Sequence, residues 1–377
     1  IKSGITLLVG AATFLVGMNL MSGGLKKSTG KSVKRLFKKT ENNRFIGMGI
    51  GATATALIQS SAATSVMSIG FISAGIMSVF QGVSVILGAY LGTTITGLLV
   101  SLSSLPISKF LLLVIVPGVI LTFFKKDTYK NFGEILAGLG ILFVGLELMK
   151  MAFPQDGELT DVVKDIIEVT KNPFLLLLIG ALFTALVQSS SATSGIVIVM
   201  VGTGAINIGA GFYIVLGATI GTVITTLIAS IGGNANVKRT AYICLFIRII
   251  CALIGTIITI IFEKQFVSFF SGVFGLQFGL ALFLIFYNIV FMFAILPFLE
   301  SIIKLFIKLI VDKDLEKKQN ALKYIDKRLL NTPSIAQMQV KLEIANMMQK
   351  SYENYLRGYQ RLVYNDTSVD KELIDTE

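Results

Sequence analysis

Two copies of a Gln-Ser-Ser motif lie inside apolar stretches of this chain. The first reads ALIQSSAATS at residues 56–65, and the second reads ALVQSSSATS at residues 185–194. Close helix packing would favour the small residues but gives no reason for a glutamine, since a buried amide without a hydrogen-bond partner is costly. Amide and hydroxyl groups can donate to an oxyanion, and their oxygens can coordinate Na⁺. The duplicated motif therefore predicts a binding site for an anion and its accompanying cation.

A second polar motif follows each Gln-Ser-Ser segment at the same distance. GAYLGTTIT at residues 88–96 matches GATIGTVIT at residues 217–225, and both motif pairs are offset by 129 positions. Paired glycines inside an apolar segment predict local unwinding, which would let the neighbouring threonines supply carbonyl and hydroxyl ligands. The glycines of this prediction are Gly88, Gly92, Gly217 and Gly221, and the threonines are Thr93, Thr94 and Thr222.

Composition assigns the chain to the membrane proteins. It is 54% hydrophobic and 15% charged, whereas ordinary soluble domains are roughly 25% charged. The net charge of +11 comes from short basic loops between apolar segments, which favours topology signals over nucleic-acid binding. The chain has no histidine, which excludes His-dependent triads and His-ligated metals. We expect no enzyme, no catalytic residue and no cofactor.

The loops also predict how the repeats are oriented. A strongly basic loop at residues 25–44 should be cytoplasmic, and an acidic loop at 152–172 should be outside. The predicted fold is therefore an all-α polytopic membrane protein with an inverted-topology repeat, an external N-terminus and a cytoplasmic tail. It has seven crossings, one of them at residues 107–124, and two re-entrant helical hairpins that break at the Gln-Ser-Ser motifs. The N-terminal ends of the second half-helices would meet at mid-membrane and attract an anion.

These motifs resemble the paired signature of the type II sodium/phosphate cotransporters, in the bacterial branch, over roughly residues 5–310. The resemblance implies Na⁺-coupled uptake of inorganic phosphate at a bacterial cell membrane, by alternating access in the lipid bilayer. It implies phosphate ligands among Gln59, Ser60, Ser61, Gln188, Ser189, Ser190 and Ser191. It implies that Na⁺ is the only metal ion bound. The implied sodium ligands are among Gln59, Ser61, Thr64, Ser65, Gln188, Ser190, Thr193 and Ser194, together with Thr93, Thr94 and Thr222. Position 62 is alanine where the second motif has Ser191, so the two halves are not expected to be equivalent.

The predicted organisation has four parts. Residues 1–131 and 132–262 are the two repeats, 263–311 are the last transmembrane helix and an interfacial helix, and 312–377 are a cytoplasmic tail. Within the tail, residues 332–356 resemble one helix of a PhoU-type phosphate-signalling domain, which would be partial here. Arg248, deep in an apolar run, is a candidate cavity charge, although snorkelling toward the cytoplasm is an alternative.

Three functions are compatible with these patterns. The first is a Na⁺-driven phosphate transporter, in which a core that carries both hairpins moves, by rocking or as an elevator, against a scaffold of the other helices, with a homodimer as one arrangement. The second is a phosphate-sensing membrane regulator that signals through its tail. The third is a Na⁺-coupled transporter of another oxyanion, such as sulfate or a carboxylate.

Overall fold

The computed structural model describes residues 2–37, 43–154, 157–170, 172–310, 324–325 and 333–364. All regular structure in these ranges is helical. The first half contains α1 (Lys2–Phe37), α2 (Arg44–Ile58), α3 (Ser61–Ser73), α4 (Val79–Ser101), α5 (Ser108–Leu113) and α6 (Ile115–Thr122), and the second half begins with α7 (Asp127–Met151). The second half continues with α8 (Glu158–Val169), α9 (Pro173–Val187), α10 (Ser190–Gly202), α11 (Ile208–Gly221), α12 (Ile224–Ser230) and α13 (Ala235–Ile261). The remaining helices are α14 (Glu263–Phe274), α15 (Leu276–Ile295), α16 (Leu299–Leu309) and α17 (Pro333–Tyr364).

Six helical segments of the described chain are long and apolar enough to cross a membrane, which makes this a multi-pass membrane protein. They are Lys2–Gly30, Val79–Ser104, Asp127–Met151, Ile208–Ser230, Ala235–Ile261 and Leu276–Leu309. Residues 107–124, the predicted seventh crossing, form the two short apolar helices α5 and α6, which are divided at Val114, so this crossing stays a prediction. Pro117 explains the division, since a proline ring clashes with the carbonyl four residues earlier and offers no N–H to it.

Helices α1 and α7 run antiparallel along a close contact. Gly10 lies against Met149 and Gly17 lies against Leu142, so that residue numbers rise on one helix while they fall on the other. The same glycine spacing occurs on α7, where Gly138 faces Met21 and Gly145 faces Phe14. Because each helix presents glycines to the partner's backbone, the two axes approach closely and bury their small faces against each other.

Each Gln-Ser-Ser motif joins two short helices that pack on the following long helix. In the first half, α2 and α3 contact each other and both contact α4; in the second half, α9 and α10 likewise contact each other and α11. Gly88 lies against Met48 and Gly92 lies against Ala52, so α2 and α4 run parallel. Helix α3 returns toward the start of α4, where Ile72 contacts Gly82.

The glycines of the second polar motif have a packing role, and the prediction that they unwind α4 is wrong. Helix α4 is continuous through Gly88 and Gly92. A Cβ added at Gly88 would lie 1.9 Å from the Met48 carbonyl oxygen, and one at Gly217 would lie 1.8 Å from that of Leu177. The missing side chains therefore let the first helix of each pair lie directly on the long helix. In the second half Gly217 lies within α11, and a short interruption follows Gly221, before α12 begins.

The described part of the tail is dominated by one long helix. Near its start, α17 packs on α3, with Ile335 and Gln339 buried, and Glu343 accepts a hydrogen bond from the Tyr324 backbone N–H. Farther along the helix, large apolar side chains such as Met348 and Leu362 are exposed. The PhoU-type resemblance of this helix stays a prediction, and residues 312–323, 326–332 and 365–377 of the tail lie outside the described residues.

Candidate functional site

The two glutamines of the duplicated motif occupy the same unusual backbone conformation. Gln59 ends α2 with φ 57° and ψ 31°, and Gln188 ends α9 with φ 55° and ψ 25°. Within the described ranges, these are the two non-glycine residues with positive φ. Glycine ordinarily fills such left-handed helix ends, and the conformation costs a larger residue free energy that a functional site can justify. The strain therefore points to the glutamine side chains as the reason these positions are not glycine.

The serine after each glutamine caps the next helix. The Ser60 hydroxyl oxygen accepts a hydrogen bond of 3.1 Å from Ala63 N, and that of Ser189 accepts one of 3.2 Å from Ala192 N. An N-terminal serine satisfies one of the four backbone N–H groups that a helix start leaves without partners. The first N–H groups of α3 and α10 remain as donors at the positive end of each helix dipole.

In each motif, a pair of buried threonines links the two helices on either side of the glutamine. Thr55 Oγ1 donates to Thr64 Oγ1 at 2.9 Å, and Thr184 Oγ1 donates to Thr193 Oγ1 at 2.8 Å. All four threonines are buried. These hydrogen bonds hold the two helices of each motif together close to the glutamine, and they are nearly the same in both motifs.

Both motifs line a single cavity of about 180 Å³, which we call the QSS cavity. Roughly 10–15 Å³ is enough to hold one water, so this space accommodates a five-atom oxyanion with accompanying ions or waters. All seven residues predicted as phosphate ligands line it, from both halves of the chain: Gln59, Ser60, Ser61, Gln188, Ser189, Ser190 and Ser191. Helix α1 and the α11–α12 junction complete the wall with Met18, Asn19, Ser22, Thr222 and Thr225, and Ala62 lies beside Ser61. No charged side chain is among these lining residues.

The predicted sodium ligands outside the motif cores divide into two groups. Thr93, Thr94, Ser194 and Thr222 line a second, smaller cavity of about 30 Å³, and Thr222 lines both spaces. Thr64, Ser65 and Thr193 are buried in the helix packing and line neither cavity. The structure thus brings the first group next to the QSS cavity and leaves the second group behind the breaks.

Arg248 lies in the wall of the smaller cavity, which we call the Arg248 chamber. Its guanidinium lies 3.9 Å from the centroid of the Tyr90 ring, and its Nη1 donates to Asn288 Oδ1 at 3.0 Å. Arg248 is 6% exposed, so it does not snorkel to the surface. Ser190 and Ser191, which begin α10, line the chamber on one side and the QSS cavity on the other.

The two motifs differ in what holds their glutamine side chains. Gln59 Nε2 donates to Ala56 O at 2.9 Å, and its Oε1 accepts from Thr96 Oγ1 at 2.8 Å. Gln188 is exposed, and Thr225, the counterpart of Thr96, donates instead to the Thr222 backbone oxygen. On α1, Ser22 donates to the Ile58 backbone oxygen at 2.6 Å, at the end of α2.

Sequence reasoning missed four polar residues of the site. Thr96 and Thr225 close the duplicated nine-residue motif, and their identity at the same repeat position was a signal that could have identified them. Asn19 and Ser22 lie in α1, far from the motifs in sequence, and no local pattern marks them. They reach the cavity because α1 contacts α2.

This chain is similar to known proteins over most of its length. A family model described as Na⁺/Pi-cotransporter matches residues 13–151 and 159–288. A Bacillus subtilis protein described as uncharacterized protein YqeW is 28% identical over 229 residues, covering 61% of this chain and 74% of the relative. No solved structure matches the chain.

Two further relatives carry functional names. The putative inorganic phosphate export protein YjbB of Escherichia coli strain K12 is 23% identical over 369 residues, which are 97% of this chain and 66% of that protein. Human sodium-dependent phosphate transport protein 2B is 35% identical over 129 residues, covering 32% of this chain and 18% of the relative. The chain therefore spans about two thirds of the length of the Escherichia coli relative.

Proposed function

Because the chain belongs to the Na⁺/Pi-cotransporter family, we propose that it takes up inorganic phosphate across a bacterial cell membrane, coupled to Na⁺. The observation that carries the proposal is the shared cavity, into which both motifs contribute a glutamine, serines and a helix N-terminus. Backbone N–H groups at a helix start bind phosphate without a full positive charge. Two such ends on one cavity surround a tetrahedral oxyanion from both halves of the protein.

The absence of charged side chains from the cavity lining favours coupling to a cation. A doubly charged oxyanion in such a neutral, partly buried space keeps a large unfavourable charge. Na⁺ ions bound to nearby hydroxyl and carbonyl oxygens would offset that charge, which makes phosphate binding depend on Na⁺. We propose the predicted sodium ligands for this role. Gln59, Ser61, Gln188, Ser190 and Thr222 line the QSS cavity itself, and Thr93, Thr94 and Ser194 line the smaller cavity beside it. No resident metal or cofactor is needed in this scheme.

The proposed mechanism is alternating access between two inverted repeats. The antiparallel contact of α1 with α7 supports this relation, because these helices begin equivalent repeats. The two helix–turn–helix pairs would be the re-entrant hairpins, one entered from each side of the membrane, and they would move with α4 and α11 against α1 and α7. The external N-terminus, the cytoplasmic tail, the homodimer and the division at residues 131, 262 and 311 stay predictions.

The direction of transport has a second candidate. The Escherichia coli relative is named for phosphate export, and a coupled carrier runs in whichever direction its gradients favour. Liposomes that contain the purified protein resolve this. An inward Na⁺ gradient should drive [³²P]phosphate accumulation, whereas a K⁺ gradient of equal size should not. Efflux driven by an outward phosphate gradient and indifferent to Na⁺ would instead favour export.

Substitution of the two glutamines tests the site itself. Gln59→Ala and Gln188→Ala should each lower Na⁺-driven uptake about 100-fold, since each removes groups that bond a charged ligand, worth roughly 1.5–3 kcal/mol. Gln349→Ala on the exposed face of α17 is the matched control and should transport normally. Wild-type rates in either cavity variant would remove that glutamine from the phosphate site. Competition by sulfate as strong as that by phosphate would favour another oxyanion.

A further inference from the structure

Arg248 carries a buried charge for which the described chain supplies no opposite charge. It lies at the middle of α13, a helix of 27 residues. Its Nη1 donates to a neutral amide, its guanidinium lies over an aromatic ring, and the neutral Tyr287 hydroxyl lies beside it. None of the ion pairs formed by described residues includes Arg248. A guanidinium does not lose its proton in proteins, so the charge persists.

The donors of this guanidinium are also underused. Arginine has five N–H donors, and Nε of Arg248 is buried without a hydrogen-bond partner. Buried polar groups without partners are rare and call for an explanation. The Tyr90 ring offsets part of the charge through a cation–π contact. The guanidinium N–H groups point outward in the plane of the guanidinium, so the ring does not accept hydrogen bonds from them. An anion would satisfy both the charge and the free donor.

The chamber beside Arg248 has the lining that such an anion needs. Thr219, Ser194 and Thr222 line the same space as the guanidinium. In the conformation described, the hydroxyls of Thr219 and Thr222 donate to backbone oxygens of their own helix. Ser190 and Ser191 separate this space from the QSS cavity, and they lie in the first turn of α10, whose positive dipole end serves both sides. An oxyanion that leaves the QSS cavity past these serines would meet Arg248 next.

The chamber is closed to phosphate in the conformation described. Its volume of about 30 Å³ holds a water but not a five-atom oxyanion. The wall includes Thr222, which lies in the interruption between α11 and α12, where the helix ladder is already broken. A shift at this interruption would widen the chamber without unfolding a continuous helix.

We propose that the Arg248 chamber is a second anion position on the phosphate path, occupied after the QSS cavity and before release. This inference rests on the proposed function. Arg248 supplies the charged ligand there, and the surrounding hydroxyls supply neutral donors. The first position then binds the anion with Na⁺ as the compensating charge, and the second holds it against a fixed protein cation. Removing the fixed charge should impair movement of the anion more than its initial binding.

The most informative variant is Asn288→Asp, because it nearly preserves the side-chain volume and places a carboxylate 3.0 Å from Arg248 Nη1. A purely structural role for Arg248 predicts normal transport by this variant, since a buried cation gains a partner. A second anion position predicts the reverse, because the new carboxylate takes the place of the anion. We expect uptake of [³²P]phosphate into proteoliposomes to fall at least 30-fold, while Na⁺-dependent phosphate binding at equilibrium stays within 3-fold of wild type.

Two further variants complete the test. Arg248→Gln should lower uptake about 100-fold with binding retained, and Arg248→Lys, which keeps the charge but not the planar fork, should retain uptake to within about 10-fold. Arg239→Gln, at the start of α13, is the matched control and should stay within 2-fold. Retained phosphate binding shows that each variant is folded. If Arg248→Gln does not fold, the uptake and binding of Asn288→Asp test the second anion position without it.

The outcomes separate the second position from the proposed function. Normal uptake by Asn288→Asp overturns the second position and leaves Na⁺-coupled transport intact. If Asn288→Asp loses phosphate binding as completely as Gln188→Ala, Arg248 belongs to the first position and the inference is also overturned. Failure of the wild-type protein to bind or move phosphate with Na⁺ overturns the proposed function itself.

Discussion

The first and second Gln-Ser-Ser breaks have nearly the same backbone and different side-chain bonds. Each break has a left-handed glutamine, a capping serine and a buried threonine pair, with the hydrogen bonds of the two halves agreeing within 0.1 Å. Around this shared frame, Gln59 is held by Thr96 and Ala56, whereas Gln188 is exposed. The two halves therefore build the breaks in the same way, and different hydrogen bonds of the equivalent residues Thr96 and Thr225 decide which glutamine is restrained.

This difference between the two breaks fits the proposed alternating-access mechanism. A protein that opens alternately to two sides must be asymmetric in each state, even when its halves have the same fold. We interpret the Thr96 bond as a feature of the conformation described, and we expect Thr225 to hold Gln188 in the opposite conformation. Substitutions that disturb the backbone packing common to the two breaks should then have equal effects in both halves. Substitutions that remove the differing side-chain bonds of Thr96 and Thr225 should have unequal effects.

The largest effects should come from the glycines beneath the breaks. Gly88→Ala and Gly217→Ala would each place a methyl group less than 2 Å from a backbone carbonyl oxygen, so the helix pair must separate. Overpacking of this kind costs about 3 kcal/mol or more where backbone cannot yield. We expect similar losses of thermal stability in detergent for the two variants, because the two contacts are nearly identical.

Gly49→Ala in α2 is the control for this pair. A Cβ at Gly49 meets nothing within 4 Å, and replacing glycine by alanine within a helix should raise stability by about 0.5–1 kcal/mol. Wild-type stability in Gly88→Ala would show that α4 and α2 separate at little cost, and would contradict the packing role of this glycine.

The glycines also show where sequence reasoning succeeds and where it fails. The offset of 129 positions was enough to pair the two motifs and to predict that both reach one cavity, because repeats fold alike. It was not enough to distinguish unwinding from close packing, since both need a residue without a Cβ. The partner that decides between them, Met48 or Leu177, lies about 40 positions away in sequence.

Asymmetry of the site was likewise beyond the sequence. Ala62, at the position equivalent to Ser191, predicted that the halves are not equivalent. It gave no sign that Thr96 would bond Gln59 while its counterpart Thr225 bonds a backbone oxygen. The contribution of α1 to the cavity depends on tertiary packing. Identical residues at equivalent positions therefore predicted a shared frame but not the bonds made within it.

An intermediate effect is expected from the threonines that distinguish the halves. Thr96→Val keeps the side-chain shape and leaves the Gln59 carbonyl oxygen without its donor, at a cost of about 1–1.5 kcal/mol, or roughly 10-fold in phosphate affinity. Thr225→Val removes a local bond to the Thr222 backbone and should change the affinity less than 3-fold. Equilibrium binding of [³²P]phosphate in Na⁺ measures both. Equal losses of affinity in the two variants would mean that the bond from Thr96 to Gln59 does not control phosphate affinity.

The smallest effect should come from Ser22, the α1 residue that bonds the end of α2. Its hydroxyl donates to the Ile58 carbonyl at 2.6 Å, one of the carbonyls that a helix end leaves without an intrahelical partner. Because Ser22 lines the QSS cavity, a water can replace the lost hydroxyl in Ser22→Ala. The variant should therefore lose about 0.5–1 kcal/mol of stability and less than 3-fold in uptake.

Ser271→Ala in α14, where the hydroxyl bonds only its own helix, is the matched control for thermal unfolding. A loss of uptake by Ser22→Ala as large as that of Gln59→Ala would contradict the small effect expected, because it would show that α1 holds the first break in place through this one bond. The restraint on Gln59 would then depend on contact with α1, and movement of α1 away from α2 would by itself free the first glutamine.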